Sequence, residues 1–263
     1  MRRICALLCC ALALGVFLHG PALAGQALLD IPTRPGATVT VLEMTGSGEA
    51  ACVVLYLAGG SGQRGLRGLR GLYLEDLPAD PQTLFGAQRQ LADKVGAMVA
   101  IDPASDHPVL EMYDRRAAEH RQDVSAVIAA MRLRHPKARM VLMGSSNGAY
   151  SAALLANRLG SEVDAVVLIS GNADTWTEAA GIRQPLLGVH HRRDACLPFS
   201  DSYPKAHFHP LIVVDDTRFP PVYPYTPREC GFESAHTLYG RRAQVYAAIG
   251  DWLLTGKVRE KIE

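Results

Sequence analysis

The stretch Met140-Val-Leu-Met-Gly144-Ser-Ser146-Asn-Gly148-Ala-Tyr-Ser-Ala-Ala-Leu-Leu155 joins an apolar run to a segment in which apolar residues recur at helical spacing. Residues 138–143 predict a buried strand, and residues 147–159 predict a helix. The turn between them has the pattern Gly-x-Ser-x-Gly, whose glycines let the backbone bend sharply enough to expose the serine hydroxyl above a sheet. Ser146 is therefore the candidate nucleophile.

Residues 1–24 have the features of a secretory signal peptide. Arg2 and Arg3 precede an apolar run over residues 4–18, and Ala22 and Ala24 form an Ala-x-Ala cleavage site. The apolar run is shorter than the roughly 20 residues that span a bilayer. We therefore expect cleavage after Ala24, a mature domain of residues 25–263 in the periplasm or outside the cell, and no stable membrane insertion after cleavage.

The charge balance of the chain bounds its partners. Removing Arg2 and Arg3 from the 27 basic side chains leaves 25, against 26 acidic ones, so the mature chain is almost neutral. Nucleic acids and anionic membranes attract proteins through an excess of basic residues. We therefore expect no nucleic-acid partner.

The rest of the chain alternates between predicted strands and helices. The predicted strands are 38–44, 51–57, 97–101, 163–170, 185–190 and 211–214, and the predicted helices are 80–94, 111–134 and 241–254. Most of these strands are almost wholly apolar, which predicts a mostly parallel sheet with helices on both faces. Strand 38–44 alternates apolar and polar residues, so we expect it at the outside, paired with strand 51–57 by a hairpin. Residues 171–176 are expected to form a loop.

A nucleophilic serine needs a general base, and the base needs an orienting carboxylate. In a parallel sheet these groups lie in loops at the carboxyl ends of different strands. Asp194 lies beyond strand 185–190, and His236 lies beyond strand 211–214. The chain order Ser146, Asp194, His236 is the order that a strand-turn-helix nucleophile predicts.

With these motifs the chain resembles the α/β-hydrolase superfamily, and within it the small secreted, dienelactone-hydrolase-like or prolyl-peptidase-like serine hydrolases. The resemblance rests on the Gly-Gly-Ser-Gly turn at 59–62, the Gly-Ser-Ser-Asn-Gly turn at 144–148, the Val-His-His-Arg-Arg-Asp run at 189–194 and the segment around His236. It differs from many relatives at Ala58, where they carry a histidine, and at Thr237, where glycine is commoner.

This resemblance implies a single-domain α/β-hydrolase fold and a catalytic triad of Ser146 as nucleophile, Asp194 as acid and His236 as base. The implied activity is a serine hydrolase that cleaves an ester or related acyl bond of a small-molecule or polymeric substrate through an acyl-enzyme, without a cofactor. The backbone N–H groups of Asn147 and Gly60 are the expected oxyanion donors, with Ser61 as the next candidate after Gly60. Asp174 is the alternative acid, because some members of the superfamily place the carboxylate in that loop.

Three cysteines remain after signal cleavage. Cys196 follows the proposed acid by two residues, and Cys230 precedes the proposed base by six. If Asp194 and His236 are in contact, these two cysteines are drawn together, and an exported chain reaches an oxidising compartment. We therefore expect a disulfide between Cys196 and Cys230, with Cys52 as a buried free thiol.

Two alternatives to a serine hydrolase stay open: a non-catalytic binding protein on the same scaffold, and a metal-dependent hydrolase. The candidate metal ligands are His190 and His191 with Asp194, or His207 and His209, but their spacing fits no metal motif and no metal is expected. Neighbouring side chains of a strand point to opposite faces, so we expect one of His190 and His191 to be packed and the other exposed.

The segment 61–77 follows the proposed oxyanion turn and is rich in glycine and arginine. Its length favours a mobile flap over the site. Its arginines, Arg64, Arg67 and Arg70, are either solvated or placed to attract an anionic substrate, and the sequence leaves both possibilities open.

Overall fold

The computed structural model describes residues 24–199, 210–217 and 227–263. Almost all of the predicted signal peptide lies outside the described residues, as do His207 and His209.

The described residues form one nine-stranded sheet. Its strands are β1 (Gly25–Arg34), β2 (Ala37–Thr45), β3 (Cys52–Leu57), β4 (Gly96–Ala104), β5 (Arg139–Ser145), β6 (Ala165–Ile169), β7 (Leu186–His191), β8 (Leu211–Val214) and β9 (Lys261–Ile262). Their order is β1-β2-β4-β3-β5-β6-β7-β8-β9. In this spatial order, every pair of neighbouring strands from β4 through β3 to β9 is parallel. Only the two pairs that β2 makes, with β1 and with β4, are antiparallel. This confirms the mostly parallel sheet.

Helices cover both faces of the sheet. They are α1 (Leu84–Val95), α2 (Ala118–Arg134), α3 (Asn147–Leu159), α4 (Ala173–Ala179) and α5 (Arg242–Thr255). One apolar core lies between the sheet and α2, α3 and α4, and a second lies between the opposite face and α1 and α5. The predicted three-layer α/β architecture is confirmed. Within the described ranges, the chain has no helix with the length and apolarity needed to cross a membrane.

The predicted hairpin between 38–44 and 51–57 is wrong. Strand β2 pairs with β1, through a turn at Gly36, and with β4, so it lies inside the sheet. Its polar residues are buried with partners: Thr40 Oγ1 donates to Asp30 Oδ1 at 2.7 Å, and the Glu43 carboxylate accepts from Arg134 and His135. The alternating pattern therefore marked satisfied buried polar groups rather than a solvent-exposed face.

Two helix boundaries and one additional helix also differ from the sequence-based expectation. Helix α1 begins after Thr83, whose Oγ1 accepts from Gly86 N at 3.0 Å, and not at residue 80. Helix α2 begins at Ala118 rather than 111, because residues 114–116 form a separate 3-10 turn. Helix α4 occupies the expected loop, since the side chain of Asn172 caps its first turn and Trp176 is buried beneath it.

Candidate active site

The turn that carries the candidate nucleophile Ser146 is held in a strained conformation by close packing. Ser146 has φ 55° and ψ −126°, in the left-handed region that side chains disfavour. A Cβ on Gly144 would lie 2.0 Å from Gly148 O, and one on Gly148 would lie 2.0 Å from Leu57 O. Glycine at both positions therefore lets α3 approach the sheet closely enough to force the turn. Ser146 N donates to Ile169 O at 2.9 Å, which fixes the turn to β6.

Asp194 and His236 form a buried pair beside this turn. Asp194 follows β7, His236 lies in the 3-10 turn Ala235–Thr237, and each is 3% exposed. His236 Nδ1 lies 2.8 Å from Asp194 Oδ2. The other carboxylate oxygen accepts from the backbone N–H groups of Cys196 and Leu197, both at 2.9 Å. The carboxylate is thus fixed from both sides, with one oxygen directed at the imidazole.

A second histidine, His190, contacts the same carboxylate. Its Nε2 lies 3.3 Å from Asp194 Oδ2 and 2.9 Å from Leu197 O. Burial opposes ionisation of Asp194, but hydrogen bonds from His190 and His236 outweigh this cost and hold its pKa well below the usual range. The sequence showed His190 only as a residue at a strand end, and its distance of four residues from Asp194 was the one signal that could have pointed to the contact.

The expectation that one of His190 and His191 is exposed is wrong. Both side chains are fully buried, and the loop after β7 packs on His190, whose ring centroid lies 5.5 Å from that of Phe199. His191 Nδ1 accepts from Arg193 N at 3.0 Å, and burial lowers the pKa of His191 to about 4.

A cavity of about 520 Å³ brings the predicted site residues together. Ser146, Asn147, Gly60 and His236 all line it, and Asp194 lies behind His236. The glycine turn packs directly on Ser146, since a Cβ on Gly59 would lie 2.9 Å from Ser146 Cβ. Among the described residues, the backbone N–H groups of Gly60 and Asn147 donate to no protein acceptor, so both are available to an oxyanion.

The structure contains the predicted disulfide between Cys196 and Cys230, whose Cα atoms are 5.0 Å apart. Both cysteines line the cavity, so the bond joins the loop that carries Asp194 to the segment that carries His236. Cys52 is a buried free thiol in β3, and burial raises its pKa.

Asp174 lies apart from this pair. It is exposed in the first turn of α4, whereas the imidazole of His236 contacts Asp194. The geometry therefore favours Asp194 as the acid.

The three arginines of segment 61–77 have different environments. Arg67 donates to Pro103 O at 2.8 Å, and Arg70 forms an ion pair with Asp30 at 2.6 Å. Arg64 instead lines the cavity, with its guanidinium carbon 4.7 Å from the centroid of the Phe85 ring. Only Arg64 among the three is thus placed to meet a substrate.

The first part of this segment is anchored to the core. Leu66 is fully buried, and the carboxylate of Asp102 accepts from Arg64 N at 2.6 Å and from Leu66 N at 2.8 Å. Leu72 and Tyr73 are exposed. These contacts favour an anchored wall over residues 64–70, so any movable part is confined to the exposed tip.

The donor set does not fit a catalytic metal. In the described part of the chain, Asp194, Cys196 and His236 form the one group of three potential ligands that lie within 4.8 Å of one another. Cys196 is in a disulfide and supplies no thiolate, and Asp194 and His236 are hydrogen-bonded to each other. A catalytic zinc ion needs three protein ligands that point to one centre.

No protein-family model and no curated protein matches the chain in sequence. Solved structures do match its fold. A dienelactone hydrolase from Anabaena variabilis is 12% identical with a TM-score of 0.58, over 92% of this chain and 100% of that chain. An esterase from Pyrococcus furiosus is 12% identical with a TM-score of 0.57, over 88% of this chain and 90% of that chain. An α/β serine hydrolase without a lid from Xanthomonas campestris is 18% identical with a TM-score of 0.51, over 83% of this chain and 92% of that chain. The chain therefore has the α/β-hydrolase fold.

Proposed function

We propose that this protein is a serine hydrolase that cleaves an ester or related acyl bond through a Ser146 acyl-enzyme. The observation that carries the proposal is the buried 2.8 Å contact between Asp194 and His236, which lines the same cavity as Ser146. The solved structures of similar fold include an esterase, a dienelactone hydrolase and a serine hydrolase, which supports the same class of chemistry.

In this mechanism the Asp194 carboxylate holds the Nδ1–H of His236, which leaves Nε2 to accept the proton of Ser146. The serine oxygen attacks the carbonyl carbon, and the negative charge that develops on the carbonyl oxygen is stabilised by the N–H groups of Asn147 and Gly60. His236 then gives its proton to the leaving group. Water attacks the acyl-enzyme by the same steps, and Ser146 is released.

Labelling with a fluorophosphonate probe tests this proposal. The wild-type protein should be labelled, Ser146→Ala should not, and a chelator should change neither result. Labelling that persists in Ser146→Ala would contradict the assignment of the nucleophile. Hydrolysis lost on chelation would support the metal-dependent alternative, and a folded protein that neither reacts nor hydrolyses any ester, thioester or peptide would support a binding protein.

The cavity also supports a narrower proposal on the substrate. Arg64 and Arg242 both line it, and within the described ranges neither forms an ion pair with a carboxylate. Arg242 donates to the backbone carbonyl groups of Gln82 and Thr237, which hold it beside the site. Two cations without an acidic partner favour a substrate with a negative charge. Kinetics on paired esters that differ only in a terminal carboxylate or its amide, with wild type and Arg64→Ala, test this preference.

We further propose that the protein is exported and acts in the periplasm or outside the cell. The proposal rests on the amino-terminal sequence, and the Cys196–Cys230 disulfide agrees with an oxidising compartment. Fractionation of cells that express the full chain, with determination of the mature amino terminus, tests it. Recovery of an uncleaved chain in the cytoplasm would contradict it.

A further inference from the structure

Arg115 is a buried cation next to the glycine turn. It is 1% exposed and lies in the 3-10 turn that precedes α2. Its Nη2 donates to Gly60 O at 2.8 Å, and its Nη1 donates to Ser151 Oγ at 2.8 Å. In the part of the chain that the structure describes, Arg115 forms no ion pair, and its Nε has no hydrogen-bond partner. Burial of a guanidinium without a carboxylate is costly, so the folded state gives up stability to keep it there.

The contact with Gly60 controls a peptide that could otherwise rotate. Gly60 has φ +55° and no atom within 4 Å of a Cβ position, so local packing places little restriction on it. The carbonyl oxygen of Gly59 is held by Gly62 N at 3.0 Å, and that of Gly60 is held by Arg115 and by Asn147 Nδ2 at 3.2 Å. In a planar trans peptide the C=O of one residue and the N–H of the next point in opposite directions, so the contact at Gly59 O fixes the N–H of Gly60, and the contacts at Gly60 O fix the N–H of Ser61.

The other arm of Arg115 reaches the nucleophile helix. Ser151 lies in α3 and is fully buried, and His120 Nε2 lies 3.3 Å from its hydroxyl oxygen. Arg115 therefore connects the turn that is to stabilise the oxyanion to the helix that begins directly after the nucleophile. A flip of the Gly60–Ser61 peptide would break this connection and release the glycine turn, which carries the N–H groups of both Gly60 and Ser61.

We propose that Arg115 is a positioning residue that prevents this flip and places a fixed positive charge behind the oxyanion turn. The inference rests on the proposed function, since it concerns the rate of acyl transfer at Ser146. Arg115 does not touch the reacting atoms: it acts through the carbonyl group of Gly60.

A second cavity makes this role testable by chemical rescue. It has a volume of about 410 Å³ and is lined by Arg115, His120, Asp114 and Gly62, among others. It is distinct from the cavity that contains Ser146. In Arg115→Ala a small guanidinium ion from solution can enter this space and restore a donor to Gly60 O.

The experiment compares Arg115→Ala, Arg115→Lys and the matched control Arg116→Ala, an exposed neighbour, in hydrolysis of p-nitrophenyl acetate. Arg115→Ala should lower kcat by up to about 100-fold, as for a displacement of about 1 Å at a catalytic group, and should change KM less than about threefold. Arg115→Lys should keep part of the rate, and Arg116→Ala should match wild type. Guanidinium chloride, far below denaturing concentrations, should raise kcat of Arg115→Ala at least about tenfold, whereas equal sodium chloride should not.

Wild-type kcat in folded Arg115→Ala would overturn the inference, as would a loss of kcat that guanidinium does not restore. If Arg115→Ala does not fold, the kcat values of Arg115→Lys and Ser151→Ala test the inference instead. Ser151→Ala keeps the Gly60 contact and should retain kcat within about threefold of wild type. A loss of kcat of about 100-fold in Ser151→Ala, together with wild-type kcat in Arg115→Lys, would overturn the inference. A failure of the proposed function differs from these outcomes, because the wild type itself would then show no turnover and no labelled Ser146.

Discussion

Removal of the Cys196–Cys230 disulfide should lower both stability and activity, because the bond joins the two segments that carry Asp194 and His236. The bond closes a loop with a sequence separation of 34. A closed loop of this length restricts the unfolded chain by an amount worth about 4 kcal/mol in the chain-entropy model. For a domain of this size each kcal/mol moves Tm by about 2–4 °C, so Tm should fall by roughly 8–16 °C.

The effect on activity follows from the hydrogen bonds around Asp194. Its Oδ1 accepts from the N–H of Cys196, and its Oδ2 contacts His236. Loss of the bond frees both segments to move relative to each other, and a displacement of about 1 Å at a catalytic group can cost up to about 100-fold in rate. We therefore expect kcat to fall by about 10- to 100-fold while KM changes little.

Scanning calorimetry and steady-state kinetics on wild type and Cys196→Ser/Cys230→Ser test this prediction. Cys52 is kept in both proteins, because it is a buried free thiol that forms no disulfide. A reductant should bring the Tm of wild type to that of the double variant and leave the double variant unchanged. Equal Tm and kcat in the oxidised wild type and the double variant would refute the reasoning that the bond holds the two catalytic segments together.

Three further predictions concern the acid, the nucleophile turn and the buried histidine. Asp194→Asn should lower kcat by about 10⁴-fold and Asp174→Asn should leave it unchanged; the reverse result in the same ester assay would move the acid to α4. Gly148→Ala places a Cβ 2.0 Å from Leu57 O and should lower the free energy of unfolding by at least about 3 kcal/mol. Gly68→Ala, where the space around the new Cβ is open, should leave the free energy of unfolding unchanged. Equal denaturation midpoints for the two variants would contradict the packing argument. Burial lowers the pKa of His120 to about 4, so the unfolded state binds this proton more tightly, and the stability present above pH 6.5 should fall by about 3 kcal/mol as the pH drops to 4. Chemical denaturation of His120→Gln should show a smaller fall, and an identical pH dependence would contradict the shift.

The sequence determined the centre of the fold better than its edge. Strands β3 to β7 are short apolar runs separated by helices, so their burial and parallel pairing could be predicted from the pattern along the chain. The neighbours of β2 could not be predicted in this way, because whether β2 pairs with β3 or with β4 depends on how the chain crosses the sheet. Buried Thr40 and Glu43 also made β2 look amphipathic, since a sequence does not show that distant residues supply their partners.

The same limit applies to the candidate site. Ser146, Asp194 and His236 follow strand ends in a known order, which a linear pattern can show. The contact of His190 with Asp194 depends on the path of the loop after β7, and the position of Arg115 depends on packing between α3 and the glycine turn. In the sequence Arg115 is one of two adjacent arginines before an amphipathic helix, a pattern that is typical of a solvated surface. Only the folded chain distinguishes it from its exposed neighbour Arg116.

The central claim, that Ser146 becomes acylated during turnover, is tested most directly by mass analysis of acid-quenched protein during the first turnovers of p-nitrophenyl acetate. The wild type should show a burst of p-nitrophenol and one added acetyl group on the peptide that contains Ser146, and Ser146→Ala should show neither. An acetyl group on another residue, or turnover in Ser146→Ala at the wild-type rate, would contradict the claim.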